Sequence, residues 1–282
     1  MKEFSRKVAV ITGAGSGIGR ALALALATRG CILALADVNR NGLHETRDQV
    51  TAAGAACSTH VVDVADRDAV EAFAADVFRQ HGAVHLVINN AGVTLVDQAE
   101  RASYEDFNWI MNINFWGVVY GTKAFLPYLR QVDEAHIVNV SSLFGLVAMP
   151  IQSAYNASKF AVRGFTESLK MELAGSPIGV SCVHPGGIKT GIGEHSRVRE
   201  DSISVTREQL LADFEKAAAT TAERAAAVII RDIEKKRRRI LIGFDARLFD
   251  WVSRIFPGSY EKIFGLERKS HIRNEARRES KQ

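Results

Sequence analysis

"TGAGSGIGR", residues 12–20, stands between two apolar runs of different character. Before it, "KVAVITG" (7–13) is continuously apolar and β-branched, the pattern of a strand buried on both faces. After it, "IGRALALALATRG" (18–30) reads as a helix ending at Gly30. Glycines at 13, 15, 17 and 19 therefore fall in a strand-to-helix turn. Glycine lets the backbone approach a phosphate closely, and the helix N-terminus offers unpaired N–H groups and the positive end of a dipole. The spacing is T-G-x-x-x-G-x-G, through Gly13, Gly17 and Gly19, with Ser16 and Ile18 inside the loop. This is where a doubly wound fold holds a dinucleotide pyrophosphate.

Eighteen residues beyond Gly19, Asp37 ends a second apolar run, "CILALAD". A carboxylate there accepts hydrogen bonds from both adenosine ribose hydroxyls and repels a 2′-phosphate. No Lys or Arg follows directly in "ADVN", and Ser16 is not basic, so the expected cofactor is NAD rather than NADP. The same alternation continues. "RNGLHETRDQVTAAG" and "RDAVEAFAADVFRQHG" read as helices, and "CSTHVVDV", "VHLVINNAG", "AHIVNVSS" and "IGVSCVHPG" as strands. Strands alternating with helices predict βαβ units and a mainly parallel sheet with helices on both faces.

The 282 residues suit one α/β domain with an appendage, and the hydrophobic fraction of 47% supplies a sizeable core. We place the domain at 1–243 and a basic extension with one amphipathic helix at 244–282. Cys31, Cys57 and Cys182 are odd in number and widely spaced, which argues against a disulfide framework or a zinc site. His60, His81, His85, His136, His184 and His195 show no ligand spacing, so no metal is expected. No apolar run of signal-peptide or membrane-spanning type is present, and a cytoplasmic location is expected. The net charge of +4 is unevenly spread. Residues 231–282 hold 15 Lys and Arg against 8 Asp and Glu, a net +7, and the remainder is −3. Such a tail suits nucleic acid, a membrane surface, an acidic partner or plain solvent. It carries no nucleic-acid motif, and no nucleic-acid partner is expected.

"SAYNASKF" (153–160) places Tyr155 and Lys159 one helical turn apart, on one face. With "TGAGSGIG", Asp63-Val64, "NNAG" (89–92), Asn114 in "NFWG", "VSS" (140–142), "YNASK" (155–159) and "PGGIKT" (185–190), the chain resembles the short-chain dehydrogenase/reductase family over roughly residues 6–192. The resemblance implies a Rossmann-type sheet of seven parallel strands, assembly as a homodimer or homotetramer, and a small-molecule alcohol or ketone as substrate. It implies catalytic roles for Ser142, Tyr155 and Lys159, with Asn114 holding a water in a relay to Lys159. It also implies cofactor contacts from Asp63, Val64, Asn90, Ile188 and Thr190, and from Tyr155 and Lys159 themselves. A free phenol, of pKa about 10, is a poor base at neutral pH, and an adjacent ammonium is expected to lower it. Tyr155 then exchanges a proton with the substrate oxygen while Ser142 orients it. A dinucleotide-binding regulator without catalysis is the alternative, and a pure binder has no use for a tuned phenol.

Three further expectations concern the surroundings. "LFGLVAMPI" (143–151) joins Ser142 to the Tyr155 helix and is almost wholly apolar, which predicts a wall for a hydrophobic alcohol or ketone. The segment 191–221 is expected over the site, and "TTAE" (220–223) reads as a capping box with Thr220 as N-cap and Glu223 at N3. "ILIGF" (240–244) reads as a last strand. Beyond it Leu248, Phe249, Trp251, Val252, Ile255 and Phe256 recur at near-helical spacing. Their apolar face is expected to pack on the body or on a neighbouring subunit rather than on a membrane.

Overall fold

A computed structural model describes residues 1, 3–191, 196–199 and 206–266. The strands in chain order are β1 (Val8–Thr12), β2 (Ile32–Asp37), β3 (Cys57–Val61), β4 (Leu86–Asn89), β5 (Leu95–Val96), β6 (Ala135–Val140), β7 (Ile178–Pro185), β8 (Ile188–Lys189), β9 (Arg197–Val198), β10 (Thr220–Thr221) and β11 (Arg239–Ile242). The helices are α1 (Gly17–Ala27), α2 (Arg40–Ala52), α3 (Arg67–His81), α4 (Tyr104–Met111), α5 (Gly117–Leu129), α6 (Ser153–Glu172), α7 (Arg207–Ala217), α8 (Ala222–Glu234), α9 (Phe244–Ile255) and α10 (Tyr260–Ile263).

Seven strands form one parallel sheet in the order β3-β2-β1-β4-β6-β7-β11. Successive side chains of a strand point to opposite faces, and β1 shows the consequence. Ala9 and Ile11 join a core under α1, α2 and α8, whereas Val8 and Val10 join a second core under α3, α5 and α6. Both faces are covered, so no strand position is free to be polar by alternation, and the run Val8–Ile11 is wholly buried. The strand order reverses between β1 and β4, which opens a crevice at their C-terminal ends. Two small parallel ribbons, β8 with β10 and β5 with β9, lie outside the sheet.

The helix starts follow capping chemistry. Asn39, Asp66, Ser103 and Thr221 each accept a hydrogen bond from a first-turn backbone N–H of the helix that follows. The cap of α8 is thus Thr221, not Thr220. Thr220 is held extended by its pairing with Ile188, and its N–H donates to Gly187 O. A full capping box forms instead at α7, between Thr206 and Gln209.

The last strand forms at Arg239–Ile242, shorter than the expected 240–244 at its end because Phe244 opens α9, and the helix after it is turned differently. Ala246 and Val252 are buried, and Phe249 is half-buried. Of the set expected to pack on the body or on a neighbouring subunit, only part lies on the body: Leu248, Trp251, Ile255 and Phe256 face outward. The inward face instead carries Asp250, buried against Arg239 of β11 and Arg254. That ion-pair set takes positions an apolar helix would otherwise fill, and it rotates the apolar stripe outward. The tail beyond Leu266 and His195 lie outside the described residues, as do residues 192–195 and 200–205 of the segment 191–221 expected over the site.

Candidate active site

The glycine loop closes the β1 end of the crevice. Gly13 has φ +65°, and a Cβ there would come within 2.8 Å of the Ala91 Cα. At Gly19 a Cβ would meet the Gly13 carbonyl oxygen at 2.0 Å. Side chains at either position would force the loop off the "NNAG" turn. Asn90 sits there as a brace: its Nδ2 donates to Thr12 O at 3.0 Å and Gly13 O at 3.2 Å. Thr12 Oγ1 accepts in return from the Asn90 and Ala91 N–H groups.

Ser16 is the N-cap of α1 but, unlike the caps above, makes no side-chain cap bond. The first N–H groups of α1, around Gly17, Ile18 and Gly19, are therefore left for a ligand. An extended anion placed there meets a positive dipole end and backbone donors, so the residues fit the pyrophosphate of a dinucleotide. Thr190 stands close by, its methyl carbon 3.1 Å from where a Gly17 Cβ would lie. Ile18 and Ile188 pack against the adjoining core.

At the end of β2, Asp37 Oδ2 accepts from the Gly15 N–H at 2.8 Å and Oδ1 from the Asn39 N–H at 2.8 Å. The carboxylate is half-buried at the mouth of the crevice. Asp63 is exposed after β3, with Oδ1 accepting from Ala65 N–H, and Val64 is buried against Gly117.

Across the switch point, β6 ends at Val140 and delivers two serines. Ser141 turns inward, its hydroxyl donating to Lys159 O at 2.8 Å. Ser142 opens the turn that follows β6, and its hydroxyl accepts from the Phe144 N–H at 3.1 Å. Tyr155 lies in a small apolar cluster with Leu95, Ile110 and Ala154, and the Phe144 ring meets it edge-on at 6.2 Å. Lys159 is 3% exposed, donates to Val140 O at 3.2 Å and stands 5.7 Å from the Tyr155 ring centre.

The electrostatics differ from the sequence expectation. Burial raises the Tyr155 phenol above its ordinary value, and the nearby Ser142 hydroxyl only partly offsets this. Burial also lowers Lys159 to about 8. Desolvation dominates because the pair shares a nearly dry site, a condition residue spacing does not reveal.

Asn114 is fully buried on a π-helical turn, Asn112–Trp116, between α4 and α5. The extra residue of a π turn redirects side chains, and such turns recur at functional sites. Its amide binds the Val93 N–H at 2.8 Å, the Val93 carbonyl at 2.9 Å and Ser158 Oγ at 3.0 Å. Asn114 Oδ1 and Lys159 Nζ each lie 3.2 Å from where a Gly92 Cβ would stand. Only Gly92 leaves this space open, so the two polar groups converge on it. The apolar periodicity of the sequence carried no sign of the π turn.

Sequence reasoning also missed two residues of the C-terminal segment. Asp245, at the start of α9, accepts from the Gly187 N–H at 2.7 Å. The Tyr260 hydroxyl of α10 accepts from the Ala148 N–H at 3.1 Å. Each holds a loop bordering the site, and no local pattern links residues 58 and 112 positions apart. The strap β9 is fixed to α4 by Asp106, which pairs with Arg197 at 2.6 Å and Arg199 at 2.7 Å.

A doubly wound sheet with an open glycine cradle facing a buried Ser–Tyr–Lys cluster is the architecture of a nicotinamide-dependent oxidoreductase. The short chain dehydrogenase family model matches residues 7–201. A putative oxidoreductase, SadH, of Mycobacterium tuberculosis is 46% identical over 93% of this chain and 95% of its own. A solved short-chain dehydrogenase/reductase from Burkholderia phymatum in complex with NAD is 36% identical, with a TM-score of 0.83 over 91% of this chain and 96% of that one. A metagenomic short-chain oxidoreductase in complex with NADP is 26% identical, with a TM-score of 0.69 over 84% and 97%. The chain belongs to the short-chain dehydrogenase/reductase family of oxidoreductases.

Proposed function

We propose that residues 1–243 form an NAD(H)-dependent dehydrogenase unit acting on apolar secondary alcohols and the corresponding ketones. The observation that carries this is the burial of Tyr155 and Lys159 side by side at the crevice that the glycine loop bounds, next to the turn that Ser142 opens and whose Phe144 ring packs edge-on against Tyr155. Bound NAD supplies the hydride acceptor. Tyr155 Oη takes the proton from the alcohol, or returns it to the carbonyl oxygen in reverse. Ser142 Oγ hydrogen-bonds the substrate oxygen and sets its distance from Tyr155. Lys159 uses one donor on Val140 O and directs its remaining capacity at the nicotinamide ribose. Its charge, once next to the phenol, favours the phenolate that burial alone disfavours. Asn114 Oδ1 and Lys159 Nζ converge beside Gly92, an arrangement that supports Asn114 in holding a water that relays protons to Lys159. Asp63, Val64, Asn90, Ile188 and Thr190 complete the walls of the cofactor crevice.

Asp37 supports NAD over NADP, since a 2′-phosphate would be set against its carboxylate. The apolar cluster of Leu95, Ile110 and Phe144 around Tyr155 supports the substrate class. Within the 143–151 loop, Leu143, Leu146 and Val147 are buried in the body, so only part of that loop is available as a wall. Exposed Trp116, stacked on Tyr120, and exposed Phe160 offer an apolar patch suited to pairing of subunits as a homodimer or homotetramer.

One screen tests both assignments: kcat/KM with NAD and NADP over a graded series of secondary alcohols and polyols. NAD is expected to be preferred, and Asp37→Ala is expected to narrow the gap. Each added methylene is expected to improve kcat/KM by roughly 0.8 kcal/mol until the pocket fills. Equal or better turnover with NADP, or reaction of polyols alone, contradicts the reading.

A further inference from the structure

The outward face of α9 has no role in the chemistry above. Phe244, Leu248, Trp251 and Ile255 fall at intervals of four, three and four residues, which is one stripe along a helix. They are 79%, 37%, 62% and 48% exposed, and Phe256 and Ile263 beyond the helix are 46% and 52% exposed. The stripe cannot turn inward, because Ala246, Val252 and the Asp250–Arg239 pair pin the opposite face to β11 and to the loop carrying Ser142.

Charge selects what can cover it. Among the described residues from 231 on, every charged side chain that is exposed is basic: Arg231, Lys235, Lys236, Arg237, Arg238, Arg247, Arg254 and Lys262, of which Arg231 and Arg237 pair with Asp232, Lys236 with Glu134 and Arg254 with Asp250. The acids of the same stretch are buried or half-buried. Asp232 pairs with Arg231, Glu234 lies near Arg29, Asp245 holds the Gly187 N–H, and Asp250 pairs with Arg239. Arg247 and Arg254 border the stripe itself, one helical position to its side. The chain continues past Leu266 with six Lys and Arg against three Glu. A second copy docking through this face would oppose two surfaces of the same positive sign, at a cost in repulsion. An anionic lipid surface meets both features at once: Phe, Leu, Trp and Ile enter the acyl boundary while the basic residues remain among the headgroups.

We propose that α9 is a membrane-docking helix, seating this enzyme reversibly on anionic phospholipid through Phe244, Leu248, Trp251 and Ile255. The test is co-sedimentation of the full chain with vesicles of phosphatidylcholine alone and with one third phosphatidylglycerol, at low and high salt. Light scattering of the free protein is run alongside. Binding is expected with phosphatidylglycerol only and is expected to weaken as salt rises. Leu248→Ser with Trp251→Ser is expected to lower partitioning at least tenfold, with the thermal melt, the NADH affinity and the oligomer mass unchanged. Three results would overturn the proposal. One is no binding to the anionic vesicles at low salt. Another is binding that the double variant retains. The third is a fall in oligomer mass in the double variant, which would make the face a contact between copies.

Discussion

Lys159 carries an ammonium in a place that penalises charge, and its folded pKa of about 8 lies below the ordinary 10.5. The folded state therefore holds this proton less tightly than the unfolded chain. Below about pH 8 both states are charged and the folded state bears the full cost. Between pH 8 and 10.5 the cost fades as folded Lys159 loses its proton first, and above 10.5 it is gone. Each pKa unit corresponds to about 1.4 kcal/mol, so the fading amounts to at most about 3.5 kcal/mol. Lys159→Met removes the titration, though it also leaves the Val140 carbonyl without its donor. The cleaner readout is the stability difference between the two proteins against pH, from urea unfolding. Wild type is expected to gain on Lys159→Met as pH rises from 7 to 10.5, while the variant loses turnover throughout. A difference flat in pH would mean that burial does not perturb Lys159. The identities and spacing of Ser142, Tyr155 and Lys159 were legible in the sequence. The direction of the Tyr155 shift was not, because it depends on how dry the site is.

At the level of elements, most of the fold was legible for a simple reason. A strand covered on both faces is mostly apolar, so β1, β2, β4, β6 and β7 announce themselves as near-continuous runs, broken only by buried polar residues such as Asn89, Asn139 and Ser181. Helix starts were legible where a capping residue stands alone and ambiguous where two stand together. At Thr220-Thr221 the choice was made by the pairing of β10 with β8, a long-range contact. The π turn that presents Asn114 was illegible, since one inserted residue leaves the apolar period almost unchanged. So was the grip of α9 and α10 on the active-site loops. Asp245 holds Gly187 and Tyr260 holds Ala148, so these two side chains act on the site through backbone they position. A hydrogen bond to a charged group contributes about 1.5–3 kcal/mol and a neutral one about 1 kcal/mol. Asp245→Ala is expected to raise the alcohol KM by about tenfold and Tyr260→Phe by a few-fold, with smaller changes in kcat. If both variants show wild-type steady-state kinetics, the extension does not position the loops.

The whole molecule divides its labour along the sheet. The N-terminal half of the chain builds the glycine cradle on β1 and β2, and the later strands bring Ser142 and Tyr155 to the opposite wall of the same crevice. The two meet at the place where the strand order reverses, so neither half holds both the proposed cofactor cradle and the proposed catalytic pair. The sequence showed this division through motif order. It showed the charge asymmetry too, but not that the described acids from 231 on would be buried or half-buried while an apolar stripe on α9 stands outward beside exposed basic residues. The central claim is that the Tyr155 hydroxyl moves the proton that accompanies hydride transfer. The direct measurement is NADH formation from an apolar secondary alcohol by wild type and Tyr155→Phe, with NADH affinity measured on the same preparations. General acid–base catalysis contributes on the order of 10²–10⁴ in rate. The account predicts a fall in kcat within or beyond that range, with NADH affinity changed less than about threefold, because the ring still packs against Phe144. A variant that binds NADH normally and keeps more than about a tenth of wild-type kcat would contradict it.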